Sequence, residues 1–147
     1  MVSKEIIQGR MENIDFMRRT GIQVVAIERG YGRAVMPLKG NENHVASMYI
    51  GALTTLAEAG AAVCVSTFLD FDKYFPVVRN IDVDFLKPAM SDVSAEYRLD
   101  DVQIEETNQM LSATGRGEYL ADFPLLDTTG LEVARARVTI TLLSRRD

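Results

Sequence analysis

From Val45 to Leu69 the chain runs for 25 residues with a single charge, Glu58. A stretch of that length and polarity either crosses a bilayer or is enclosed by protein on most sides. Its composition favours enclosure. Ala, Gly, Ser and Thr outweigh Leu, Ile and Phe, and Glu58 lies near the middle. An unpaired charge at that depth costs roughly 3 kcal/mol even on lenient insertion scales. The N-terminal segment, with Lys4, Glu5, Arg10, Glu12, Asp15, Arg18 and Arg19, lacks the uninterrupted apolar run of a signal peptide. The expectation is a buried helix and no membrane partner.

The remaining composition narrows the function classes. At 147 residues the chain is expected to form one domain spanning residues 1–147. With 47% hydrophobic and 25% charged residues it reads as an ordinary globular chain. Sixteen basic residues against 21 acidic ones give a net charge of −5, which offers no support for a nucleic-acid partner. One His and one Cys cannot build a zinc site from soft ligands, so no metal is expected. A single Cys also excludes an internal disulfide and fits a reducing, cytoplasmic compartment.

Periodicity supplies the elements. Ser3–Arg19 reads as one amphipathic helix with Ile6, Ile7, Met11, Ile14 and Met17 near helical spacing and Gly21 ending it. Ile22–Glu28 and Arg33–Leu38 flank Arg29-Gly30-Tyr31-Gly32 as a hairpin. Lys39–Asn43 is a polar loop into the long helix, with Asn43 as its cap. Val77–Phe85 alternates, placing Val77, Arg79, Ile81, Val83 and Phe85 on one face, and Pro88 ends that strand. Val93–Leu99, Glu118–Leu126 and Glu132–Leu143 read as strands, with a turn at Asp127-Thr128-Thr129-Gly130. Asp100–Thr114 is readable as either helix or irregular strand. The fold class is α+β: an antiparallel sheet curled around one long helix, with a further helix at the N-terminus.

The long helix has two expected faces. At 100° per residue, Ile50, Leu53, Leu56, Ala57, Gly60, Val63, Cys64 and Phe68 share a core arc. Ser47, Gly51, Thr54, Thr55, Glu58, Ala61, Ala62 and Val65 lie opposite. Small residues there let a ligand or another backbone approach. A desolvated carboxylate among them is suited to general-base work. The same stripe also reads as a packing or dimer seam, with Glu58 bonded to a hydroxyl or a backbone N–H. Cys64 lies on the apolar face, about 120° from Glu58, so a Cys–His nucleophile pair is not expected.

Asn43-His44-Val45-Ala46-Ser47-Met48-Tyr49-Ile50-Gly51-Ala52-Leu53-Thr54-Thr55-Leu56-Ala57-Glu58 resembles the start of the central helix in hotdog-fold acyl-CoA thioesterases of the PaaI-like type. That type carries an Asn, then His-Gly-Gly, then Leu-Ala-Asp. Asn43, Gly51 and Leu56-Ala57-Glu58 match it. Tyr49 stands at the His position and Ile50 at the first Gly. Asn80–Ala89 resembles the strand that follows the helix. The departures are similar to a less characterised, thioesterase-like branch of the superfamily.

The resemblance implies hydrolysis of an acyl-CoA or acyl-carrier-protein thioester, with coenzyme A part of the substrate and no separate cofactor. It implies that Glu58 is base or nucleophile, that the Gly51 N–H sits in the oxyanion hole and that Asn43 positions water or the thioester oxygen. Along one helix Gly51 and Glu58 are roughly 10 Å apart. One carbonyl therefore needs them from two subunits, in a homodimer or a dimer of dimers. His44, Tyr49, Thr54, Thr55, Phe75, Pro76, Val77, Arg79 and Lys87 are candidate substrate-binding residues. Each also has a plain role in a loop, helix seam, strand or solvated surface. Arg116, Arg145 and Arg146 are further candidates for the CoA phosphates. A non-catalytic acyl-CoA-binding scaffold is the alternative. A hotdog hydratase, which generally uses an Asp/His pair, fits less well because His44 is misplaced relative to Glu58.

Overall fold

The computed structural model describes residues 1–145, so Arg146 lies outside the described residues. The elements in chain order are α1 (Lys4–Glu12), α2 (Asp15–Thr20), β1 (Gln23–Glu28), β2 (Tyr31–Met36), α3 (Ile50–Ser66), β3 (Tyr74–Phe85), β4 (Val93–Arg98), α4 (Asp101–Thr114), β5 (Arg116–Asp127) and β6 (Glu132–Ser144). The six strands form one antiparallel sheet in the order β1-β2-β4-β5-β6-β3. It packs against α3 through β2, β4, β3 and β6. This is the α+β, helix-in-sheet architecture that the sequence resemblance implies. No helix among the described residues is long and apolar enough to cross a membrane.

Glycine sets how closely sheet and helix approach. A Cβ on Gly32 of β2 would collide with Val63 Cγ1 and lie 2.8 Å from the Cys64 backbone nitrogen. A Cβ on Gly60 of α3 would lie 2.8 Å from Ala95 Cβ on β4. The core around this crossing is apolar: Leu56, Val63, Val93, Leu125 and Ile140 are all essentially inaccessible.

Several elements differ from expectation. The N-terminal helix is two helices, because Ile14 adopts an extended backbone (φ −93°, ψ 107°) between them. Asn13, whose short polar side chain competes with helical backbone bonding, closes α1 there. The hairpin turn is tighter than expected, with Glu28 paired to Tyr31 and Gly30 at φ 74°. Asp100–Thr114 resolves as helix. Asp100 and Gln103 form a reciprocal capping box at 2.8 and 2.9 Å, and Gly115 ends the helix in the left-handed conformation.

The long helix starts at Ile50 rather than beside Asn43, and Tyr49 is its capping position. Asn43 instead organises a loop. Its Oδ1 accepts from the Val45 and Ser47 N–H groups at 3.0 and 3.1 Å, and its Nδ2 donates to Ser47 Oγ at 2.8 Å. Ala46 inside that loop has φ 65°, a left-handed backbone rare for a residue with a Cβ.

In β3 the expected alternation breaks. Register shifts between Val78 and Asn80, so Arg79 is the extra residue of a bulge. Val78 therefore joins Ile81 and Val83 against the core, and Val77 does not share their face.

Candidate active site

The enclosure of α3 is nearly complete, and the exception is a single strip. Gly51, Thr54, Thr55, Glu58, Ala62 and Ser66, spaced three or four residues apart, are half-buried, whereas Ala57, Ala59, Ala61, Val63 and Val65 are buried. Ala61 and Val65, expected on the open side, are in the core because neighbouring elements wrap further round the helix than one 180° face. Ile50, expected in the core, is exposed because it begins the first turn, outside the sheet's cover.

Glu58 is at the centre of this strip. Its carboxylate has no ion pair or hydrogen-bond donor among the described residues, and burial holds it above the usual carboxylate value. The two hydroxyls that could have satisfied it are engaged elsewhere. Thr54 Oγ1 donates to the Ile50 carbonyl and Thr55 Oγ1 to the Gly51 carbonyl, each at 2.8 Å. Glu58 is thus not a packing acid tied down by its own helix. A half-desolvated carboxylate with free lone pairs and a raised proton affinity can accept a proton from water.

Glu58 opens on an apolar cavity of about 150 Å³. Met11 and Met17 contribute from α1 and α2, Ala59 and Ala62 from α3, Phe71 from the following loop and Pro76 from β3. Arg10 also borders it, its guanidinium 4.2 Å from the Phe71 ring centroid. Of these, the sequence points only to Pro76, beside Phe75 and Val77, as a candidate lining residue. The helical spacing of Met11 and Met17 signalled a buried face, but spacing carries no information on what that face meets.

Gly51 opens on a different cleft of about 280 Å³, bordered by Phe16, Arg19, Asn41, Glu42 and Tyr49. The Gly51 and Ile50 N–H groups lack acceptors among the described residues, as expected for the first turn of a helix with no side-chain cap. The ring of Tyr49 folds over Gly51: a Cβ there would lie 2.5 Å from Tyr49 Cε1. Tyr49 is itself 55% exposed, so its ring borders the cleft rather than the core. The two cavities share no residue. Within one chain, Gly51 and Glu58 face separate spaces.

The remaining candidates are dispersed. His44 is exposed in the Asn43–Ser47 loop. Phe75 and Val77 are half-buried, and by strand alternation point away from the cavity that Pro76 borders. Arg79, at the bulge, and Lys87, beyond β3, are exposed without a salt bridge among the described residues. Arg116 pairs with Glu118 at 3.6 Å, and Arg145 donates to the Phe71 carbonyl at 2.8 Å. Cys64 is buried, with its thiol donating to the Gly30 carbonyl at 3.1 Å and pushed up to about 12 by burial. It is a protonated core residue, not a nucleophile. No cluster of three His, Cys, Asp or Glu side chains suited to a metal ion occurs among the described residues.

Comparison with known proteins agrees with the architecture. Residues 5–142 match the family described as "Domain of unknown function (DUF4442)". The fold superposes on PA5026 of Pseudomonas aeruginosa, described as of unknown function and a probable thioesterase, with a TM-score of 0.91 and 34% identity over 98% of this chain and 97% of that one. PA1618 of the same organism, a thioesterase, superposes with a TM-score of 0.79 at 18% identity, covering 99% and 96% of the two chains. Thioesterase HI1161 of Haemophilus influenzae gives 0.77 at 16% identity, covering 98% and 92%. The last two likenesses establish the hotdog fold alone. No curated protein sequence matches the chain.

Proposed function

Because this chain belongs to the DUF4442 family and carries the hotdog fold, we propose that it hydrolyses an acyl thioester, with acyl-CoA or an acylated carrier protein as substrate. The observation that carries this reading is Glu58: the one charge on the central helix, half-buried, unpaired among the described residues and held above its ordinary proton affinity. PA5026 is described as a probable thioesterase, which agrees with it.

In the proposed reaction Glu58 removes a proton from water as the water oxygen attacks the thioester carbonyl carbon. Negative charge gathers on the carbonyl oxygen, where the unpartnered N–H of Gly51 from a second subunit stabilises it. The tetrahedral intermediate collapses, the C–S bond breaks and the thiolate takes the proton back from Glu58. Carboxylic acid and free thiol leave.

Two features support a two-subunit site. Gly51 and Glu58 open on separate cavities of one chain, and β3 is an edge strand that, among the described residues, pairs only with β6. Such a long edge is a natural surface for pairing with a second copy. Arg79 and Lys87, on and just beyond that edge, are candidates for the CoA phosphates, Tyr49 borders the Gly51 cleft, and Asn43 and His44 lie in the loop that precedes the helix.

The test is thiol release from a panel of acyl-CoAs by wild type and Glu58→Gln, together with the mass in solution by light scattering. Hydrolysis lost in Glu58→Gln and a dimeric mass are expected. Equal activity in both proteins rejects Glu58 as base. A monomer rejects the composite site. Binding without hydrolysis by either protein favours the acyl-CoA-binding scaffold.

A further inference from the structure

The cavity beside Glu58 has a shape that the hydrolytic reading does not itself require. Its walls are apolar apart from Glu58, Ser66 and the rim residue Arg10. Its roof is not made by the sheet or by α3. Met11 of α1 and Met17 of α2, both nearly inaccessible, cover one side of it, while Ala59 and Ala62 of α3 form a floor cut back to single methyl groups. The break at Ile14 lets the two short helices bend across the space instead of running past it. A largely apolar space of about 150 Å³ has room for about six carbons.

We propose that this cavity receives the acyl chain of the thioester and that the α1–α2 roof measures its length, making the protein selective for acyl groups of about six carbons over long fatty acyl chains. The inference rests on the thioesterase reading for its substrate and deepens it. An acyl chain entering here brings its carbonyl carbon to the only carboxylate in the wall. Each methylene taken from water into such a space contributes about fourfold in affinity until the cavity is full. Beyond that, further carbons must displace Met11 or Met17. Methionine is flexible, so the limit is graded, with chains a carbon or two over length slowed before longer ones are refused.

Ala62, one turn beyond Glu58 on the same strip, is the residue to change. Ala62→Leu fills the floor and Met17→Ala opens the roof. The experiment measures kcat/KM for a straight-chain series from acetyl- to palmitoyl-CoA with wild type and both variants, after circular dichroism confirms each is folded. Wild type is expected to peak near hexanoyl and to fall at least tenfold by palmitoyl. Ala62→Leu is expected to lose tenfold or more at hexanoyl and octanoyl while holding acetyl and butyryl. Met17→Ala is expected to move the peak to longer chains, and this alone tests the proposal if Ala62→Leu does not fold.

A flat length profile in wild type, or variants that change all chain lengths alike, overturns the acyl-cavity inference while leaving hydrolysis intact. If no thioester is cleaved, the hydrolytic reading fails separately. The same acyl-CoAs are then titrated intact by calorimetry: affinity that peaks near hexanoyl and shifts in the variants upholds the cavity, and affinity independent of length overturns it.

Discussion

At its C-terminal end α3 hands its last groups to defined partners, whereas at its N-terminal end it leaves them open. Thr67 Oγ1 donates to the Cys64 carbonyl at 2.7 Å and accepts from the Gly30 N–H at 2.8 Å. The Cys64 thiol donates to the Gly30 carbonyl, and Ile104 of α4, fully buried, closes the cluster with Leu99. One buried polar atom nearby, the Tyr119 hydroxyl, lacks a partner among the described residues. At the other end, among the described residues, the Ile50 and Gly51 N–H groups have no acceptor and no side chain caps the helix, and Tyr49 and Ile50 are exposed. One helix therefore has a C-terminal end tied into the fold and an N-terminal end with bare donors, and Glu58 lies between them. A packed end holds the helix still, and a still helix can keep bare donors aimed without their being tied up by the protein itself.

The largest expected effect comes from Glu58, at the boundary. Glu58→Gln should lower kcat for thioester hydrolysis by roughly 10²–10⁴-fold, the usual contribution of a positioned base. Next is the packed end. Ile104→Ala should cost about 2–5 kcal/mol in denaturant unfolding while leaving kcat of the folded protein intact. An equal fall in kcat would mean that the two halves are coupled rather than separate. Gly32→Ala, which drives a methyl group into Val63 and the Cys64 backbone, should cost about 1–3 kcal/mol by overpacking.

The effect of pH sharpens the comparison. Burial raises the Glu58 carboxyl in the folded protein, so the fold binds that proton more tightly than the unfolded chain does. The resulting penalty is fully present above the raised folded value and disappears as pH falls below the unfolded one. Glu58→Gln should therefore raise Tm at neutral pH, at roughly 2–4 °C for each kcal/mol in this size range, and the gain should vanish in acid. Hydrolysis by wild type should fall as pH drops through the same raised value. The smallest effect belongs to Cys64→Ala: its thiol, held near 12, remains protonated, and kcat should be unchanged.

Much of the fold was legible from particular residues. The lone charge in Val45–Leu69, the Ala-Gly composition around it and the alternation in β5 and β6 predicted a helix wrapped by an antiparallel sheet. Glu58 followed because there was no competing charge on the helix. Asp100, Gln103 and Gly115 spell both caps of α4, but the segment's weak apolar periodicity leaves it readable as either helix or irregular strand. Asn43 misled for a related reason. Its side chain is equally good at capping a helix and at holding a loop, and in the structure it holds the loop.

What the sequence by itself determined are the properties that short-range periodicity encodes: that α3 exists, that it is apolar almost all round and that its one carboxylate lies among small residues. Only the tertiary structure decided which strip of that helix stays uncovered, that Ala61 and Val65 are enclosed, and that Met11 and Met17 roof the space beside Glu58. It also decided the bulge at Arg79 that turns Val78 inward. The physical reason is that spacing along a chain sets which residues share a face, whereas the cover over that face comes from segments dozens of residues away, and no local pattern records which of them will arrive.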